Sequence, residues 1–120
     1  MSVRAVQSLK LSQLRLIAAI DRHRQIIHAA EALGISQPAA SRSLAEIERL
    51  LDAALFDRHP RGMTPTAAGE IVARRAHALL TGLSDLGREL DEMGDGLSGV
   101  VRVGADELLV DDAVGVLFGV

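Results

Sequence analysis

Apolar residues recur at Val72, Ala76, Leu79, Leu83, Leu86, Leu90 and Met93, at spacings that alternate four and three. That alternation is a heptad seam sustained for three repeats. Thr66 stands just ahead of it as a capping residue, so the spacing predicts one helix over about 67–93. At 1.5 Å per residue such a helix is roughly 40 Å long. A helix of that length cannot fold back over the small body that precedes it. Its seam needs another helix, most simply from a second copy of the chain, and the seven seam residues are candidate dimerisation positions.

Composition narrows what that body can be. Hydrophobic residues make up 48% of the 120 positions and aromatic residues only 2%. The core is therefore expected to consist of Leu, Ile, Val and Ala, which suits helix packed on helix. There is no Cys, which excludes disulfides and Cys-based zinc sites and fits a reducing compartment. The start, Met1-Ser2-Val3-Arg4, lacks the apolar run of a signal peptide. No stretch approaches the roughly 18 apolar residues that span a bilayer. The expectation is a cytoplasmic protein with no membrane partner. The net charge of −3 is unevenly placed: residues 1–66 hold nine Lys/Arg against six Asp/Glu, and residues 67–120 hold four against ten. A polyanionic partner should meet the front half.

Along that front half the pattern predicts a helix over about 12–23 capped by Ser12, and a short one over about 28–33 ended by Gly34. A third begins after Ser36, with Pro38 in its first turn, and continues through Leu44, Ile47, Leu50 and Leu51. Leu55–Arg58 reads as a strand, His59–Gly62 as a turn and Met63–Pro65 as the returning strand of a small hairpin. After the long helix, Gly94–Gly99 reads as a hinge and Val100–Gly104 as a strand. Residues 106–120 are consistent with one short helix.

Two short helices joined by a tight glycine turn describe a helix-turn-helix, whose second helix presents its first residues to the DNA major groove. Those residues are Ser36, Gln37, Pro38, Ala39, Ser41 and Arg42. Gln can bond an adenine edge in a bidentate manner, and Arg a guanine edge or a phosphate. The small apolar Pro38, Ala39 and Ala40 would allow close approach and contact with a thymine methyl.

The run Gly34-Ile35-Ser36-Gln37-Pro38-Ala39-Ala40-Ser41-Arg42, then Leu55-Phe56-Asp57-Arg58, then Thr64-Pro65-Thr66-Ala67-Ala68-Gly69 resembles the signature of LysR-type transcriptional regulators. The likeness covers roughly residues 11–104. It implies a mainly α fold: a winged helix-turn-helix over 1–66 with a β-hairpin wing, and a linker helix over 67–93 that joins two copies. A hinge over 94–99 and the opening of an effector-binding domain over 100–120 would follow. It implies sequence-specific binding of double-stranded DNA as a homodimer, or as a tetramer in full-length members, which carry a C-terminal effector domain. This chain stops before such a domain is complete, so a small-molecule effector is expected only where that domain is present. Arg61 at the hairpin tip would reach a minor groove, with Arg58 and His59 beside it.

The plainer readings stand beside these. Taken singly, Gln37 and Arg42 read equally as solvated helix residues, Ser41 as a gap-filler and Arg61 as a loop cation. Arg58 reads equally as an ion-pair partner within the fold. Gly94-Asp95-Gly96-Leu97-Ser98-Gly99 has the form G-x-G-x-x-G, but it follows a helix and precedes a strand, the reverse of a dinucleotide site. His23, His28, His59 and His77 lie on different elements without ligand spacing. No nucleophile and base pair up, so neither an enzyme nor a cofactor is expected. The alternative from another class is a truncated interaction protein that pairs through the linker helix with full-length regulators.

Overall fold

The computed structural model describes residues 3–94 together with 110, 111, 114 and 115. The chain divides into two compact units, Met1–Leu80 and Thr81–Val120. The first contains α1 (Val3–Gln7), α2 (Leu11–His23), α3 (Ile26–Leu33), α4 (Gln37–Leu51), β1 (Phe56–His59), β2 (Gly62–Pro65) and the front of α5 (Ala67–Glu92).

The core is mainly aliphatic, as composition predicts, but it also takes in Phe56 and Met63, and among the described residues valine joins it only as the partly buried Val72. Leu16, Ile17 and Ile20 of α2 meet Ala29 and Ala30 of α3, Leu44, Ile47 and Leu51 of α4, and Ala73 of α5. Leu55, Phe56 and Met63 close it from the hairpin side. Helices α2, α3 and α4 each contribute an apolar stripe at helical spacing, and α5 and the hairpin complete the enclosure. Helix α1 lies outside the sequence expectation. Ala5 and the following Leu9 pack against the core at a spacing of four, while Val3 stays exposed.

Three boundaries differ from the expectation, each for a local reason. Helix α2 is capped at Lys10 rather than Ser12, because the Gln13 side chain reaches back to accept the Lys10 N–H at 2.8 Å. Helix α3 begins at Ile26, two residues early. Arg24 takes a left-handed conformation (φ 61°), and its N–H closes α2 on the Ile20 carbonyl. The next helix then starts at once, from an N-cap Gln25 that makes no side-chain cap bond. The hairpin loop is two residues long, Pro60-Arg61, since His59 pairs directly with Gly62.

The cap of α4 is as expected: Ser36 Oγ accepts the Ala39 N–H at 3.1 Å, and Pro38 occupies the first turn. At the other end Glu48 turns back toward the chain. Its Oε2 accepts the N–H groups of Leu55 at 2.7 Å and Phe56 at 3.3 Å, holding the lead into β1. Glu48→Ala leaves those donors without that acceptor beside a buried Leu55. We expect a loss of about 1–3 kcal/mol of unfolding free energy in urea titrations, with Glu48→Gln recovering part of it.

Thr66 caps α5 as predicted: its Oγ1 accepts the Gly69 N–H at 3.0 Å and donates to the Ala54 carbonyl at 2.6 Å. In the second unit α5 continues to Glu92, with Arg88 paired to Asp85. It ends with Gly94 N–H on the Asp91 carbonyl at 2.8 Å. Val110–Asp111 pairs antiparallel with Val114–Gly115, so these four residues are extended where the sequence suggests a helix; the rest of 106–120 lies outside the described residues. β-Branched valines at two of those four positions favour the extended chain. The rest of the expected hinge, after Gly94, and the expected strand over 100–104 lie outside the described residues. Among the described residues no helix is long and apolar enough to cross a membrane.

Candidate nucleic-acid interface

Helix α4 has two faces of opposite character. Ala40, Leu44, Ile47 and Leu51 are buried and fix its roll against α2 and α3. Ser36, Gln37, Pro38 and Arg42 are exposed, and Ala39 and Ser41 are half-buried. Gln37 with Ser41, and Pro38 with Arg42, stand four residues apart and so share the outward face. Ala40 is 0% exposed. It belongs to the core, which corrects its expected place on the groove-facing side. An alanine four residues before Leu44 falls on the buried stripe, and the periodicity alone could have assigned it there.

Arg58, His59 and Arg61 are all exposed on the hairpin. Among the described residues none of Arg42, Arg58 and Arg61 has a carboxylate within ion-pair distance. Arg58 therefore has no ion-pair partner within the fold among the described residues. Between the hairpin and the start of α3 lies an open cleft of about 290 Å³, lined by Gln25, Ile26 and Ile27 on one side and by residues 58–63 on the other.

The hairpin sits on the α2–α3 turn because its backbone comes unusually close. The Met63 N–H donates to the Arg24 carbonyl at 2.7 Å. A Cβ on Gly62, whose φ is 137°, would lie 2.3 Å from that same oxygen. Only glycine tolerates both the dihedral and the approach. Sequence reading placed Gly62 in a turn but gave no sign of this contact.

The seven seam residues divide. Val72 packs partly against the core and Ala76 is 0% exposed, so both are covered by the chain's own first unit. Leu79, Leu83, Leu86, Leu90 and Met93 are exposed. A polar link also went unseen in the sequence: His77 Nε2 on α5 lies 3.0 Å from Asp21 Oδ2 on α2. The two residues are 56 apart in the chain, and neither belongs to a local motif. Among the described residues no group of three or more His, Asp or Glu is placed to hold a metal ion.

A small helical body with a hairpin beside its outward-facing helix is the winged helix-turn-helix architecture, and the chain is a protein of that class. The model of the bacterial regulatory helix-turn-helix proteins, lysR family, matches residues 11–70, half of the sequence, and the chain belongs to that family. It is 44% identical over 96 residues to the HTH-type transcriptional regulator GbpR of Azospirillum brasilense, a match that covers 80% of this chain and 28% of that protein. Its fold is similar to that in the BenM_DBD/catB site 1 DNA complex, with a TM-score of 0.67 and 26% identity over 72% of this chain and 96% of the other. The CbnR_DBD-DNA complex is similar at a TM-score of 0.63 and 27% identity, covering 72% and 99%. The chain thus spans less than a third of the length of its GbpR relative.

Proposed function

We propose that the chain is the DNA-reading and pairing part of a transcriptional regulator that binds double-stranded operator DNA as a homodimer. Helix α4 lies in a major groove, with Gln37, Pro38, Ser41 and Arg42 toward the base edges and Ser36 and Ala39 at its leading end. Arg61 enters the adjoining minor groove, and Arg58 and His59 meet the backbone beside it. Pairing runs through the exposed stripe from Leu79 to Met93. The domain order is a reader over 1–66, a linker helix over 67–93 and a hinge over 94–99. An effector-binding domain opens at 100–120, and a small-molecule effector or a tetramer follows only where that domain is present in full. The site of action is the cytoplasm.

One observation carries this reading: Arg42 and Gln37 stand exposed on the outer face of a Ser-capped helix whose opposite face is locked in the core. The solved DNA complexes of similar fold support it. The test is fluorescence anisotropy with a duplex that this chain selects from a randomised pool. Arg42→Ala is expected to weaken binding of that duplex by about 1–3 kcal/mol and to relax the base preference at one position. Binding that keeps both its strength and its base preference in this variant would overturn the groove assignment.

A further inference from the structure

We propose that Asp21 is a positioning residue for the wing, tying the long helix α5 to the β1–β2 hairpin through one carboxylate. Its Oδ2 lies 3.0 Å from His77 Nε2 on α5. Its Oδ1 lies 3.3 Å from Arg24 Nη2, and its carbonyl accepts the Arg24 Nε–H at 2.6 Å. Asp21 therefore grips the side chain of the one residue between α2 and α3 that is left-handed without being glycine, Arg24 at φ 61°. L side chains rarely adopt that conformation, and it persists where the surroundings over-determine it.

The wing in turn rests on Arg24. The Arg24 carbonyl accepts the Met63 N–H, Gly62 passes over it too closely for a Cβ, and Gln25 Nε2 reaches the Arg61 carbonyl at 3.5 Å. A two-stranded hairpin is marginal by itself, so these contacts decide where its tip stands. The tip residue is Arg61. Asp21 thus acts on Arg61 through the Arg24 carbonyl, and His77 makes the same carboxylate sensitive to where α5 lies against α2. Asp21, Arg24 and His77 are three further residues through which groove contact and the linker helix are joined. The inference rests on the DNA reading for its meaning, while its structural half stands apart from DNA.

Two measurements test it on the whole chain. The first needs no DNA. In amide hydrogen exchange, Asp21→Ala is expected to lower protection of the Met63 amide roughly 3- to 10-fold while Leu44 and Ile47 keep theirs. Asp21→Asn, which retains an acceptor oxygen, restores most of it. Unchanged Met63 protection, or an equal drop at Leu44 and Ile47, overturns the proposal, the latter because it marks a merely structural role.

The second is a pair of double-mutant cycles on the fluorescein-labelled duplex selected from the randomised pool. Asp21→Ala is expected to weaken binding roughly 3- to 10-fold, to add nothing in an Arg61→Ala background, and to be additive with Arg42→Ala. Additivity with Arg61→Ala sinks the positioning role. A pool that yields no duplex, or an Arg42→Ala variant that binds normally, sinks the DNA reading instead and leaves the exchange result to decide whether Asp21 holds the wing.

Discussion

Gly69→Ala is expected to destabilise the chain by about 3 kcal/mol or more, although it replaces a helical glycine with the best helix former. An alanine Cβ at this position would lie 1.8 Å from the Leu55 carbonyl oxygen and 2.8 Å from its carbon. Both atoms are backbone, so no side-chain rotation relieves the overlap. Nor is the backbone free to retreat. The Leu55 N–H is held by Glu48, the Leu55 carbonyl accepts the Thr66 N–H at 2.9 Å, and Thr66 Oγ1 bonds the neighbouring Ala54 carbonyl. Relief requires the first turn of α5 to lift, which breaks hydrogen bonds worth about 1 kcal/mol each. Overpacking adds about 1–3 kcal/mol, and the helix-propensity gain of about 1 kcal/mol offsets only part of the total. Against a total stability of about 5–15 kcal/mol, the shift is large. Gly82→Ala and Gly87→Ala are the controls. Both lie on the same helix with nothing within 4 Å of the added Cβ, and both should be neutral or stabilising. Urea unfolding followed by circular dichroism separates the three variants. An unshifted midpoint for Gly69→Ala would show that the first turn of α5 is not locked over Leu55.

The contrast among these glycines marks what a sequence conveys and what it does not. The motif Thr64-Pro65-Thr66-Ala67-Ala68-Gly69 announces a helix start, and Thr66 does cap one. Nothing local tells that Gly69 is needed for a backbone contact while Gly82 is open, because the requirement comes from a strand lead-in fourteen residues earlier. Local signals were legible wherever the chemistry was local: Ser36 and Pro38 at the start of α4, Gly34 at the end of α3, and the hairpin between Phe56 and Pro65. Ser12 misled because a good capping residue competes with neighbours, and Gln13 reaching back to Lys10 prevails. Arg24 is the least legible turn, since a left-handed arginine has no compositional mark. Residue type alone puts Ala40 with the groove-facing set; its position in the helical period puts it inside. The seam shows the same limit from the other side. Its spacing is uniform from Val72 to Met93, yet burial changes between Ala76 and Leu79, and a period carries no record of where a neighbouring surface ends.

That division of the seam also sets the second large effect. With Ala76 already covered, pairing through α5 falls to Leu79, Leu83, Leu86, Leu90 and Met93, and Leu86, at 53% exposed, is the middle residue of the five. Leu86→Asp is expected to convert the proposed dimer into monomers across the micromolar range. Burying a leucine side chain contributes about 1.5–3 kcal/mol. In a two-fold pair one substitution acts on both copies, so roughly twice that is lost. An aspartate at that position then faces an apolar seam and must stay hydrated, which opposes closure further. Together these weaken association by roughly a thousandfold or more. Leu86 lies outside the core that holds α2, α3 and α4, so the folded head should survive, with helical circular dichroism retained after allowance for frayed α5. Sedimentation equilibrium over a range of protein concentrations measures the change. DNA binding supplies a second reading, because a monomer contacts one half-site and should lose the avidity of two linked heads. Association equal to that of the unaltered chain, or an unaltered chain that stays monomeric at every concentration, would show that the partner of this stripe is not a second copy.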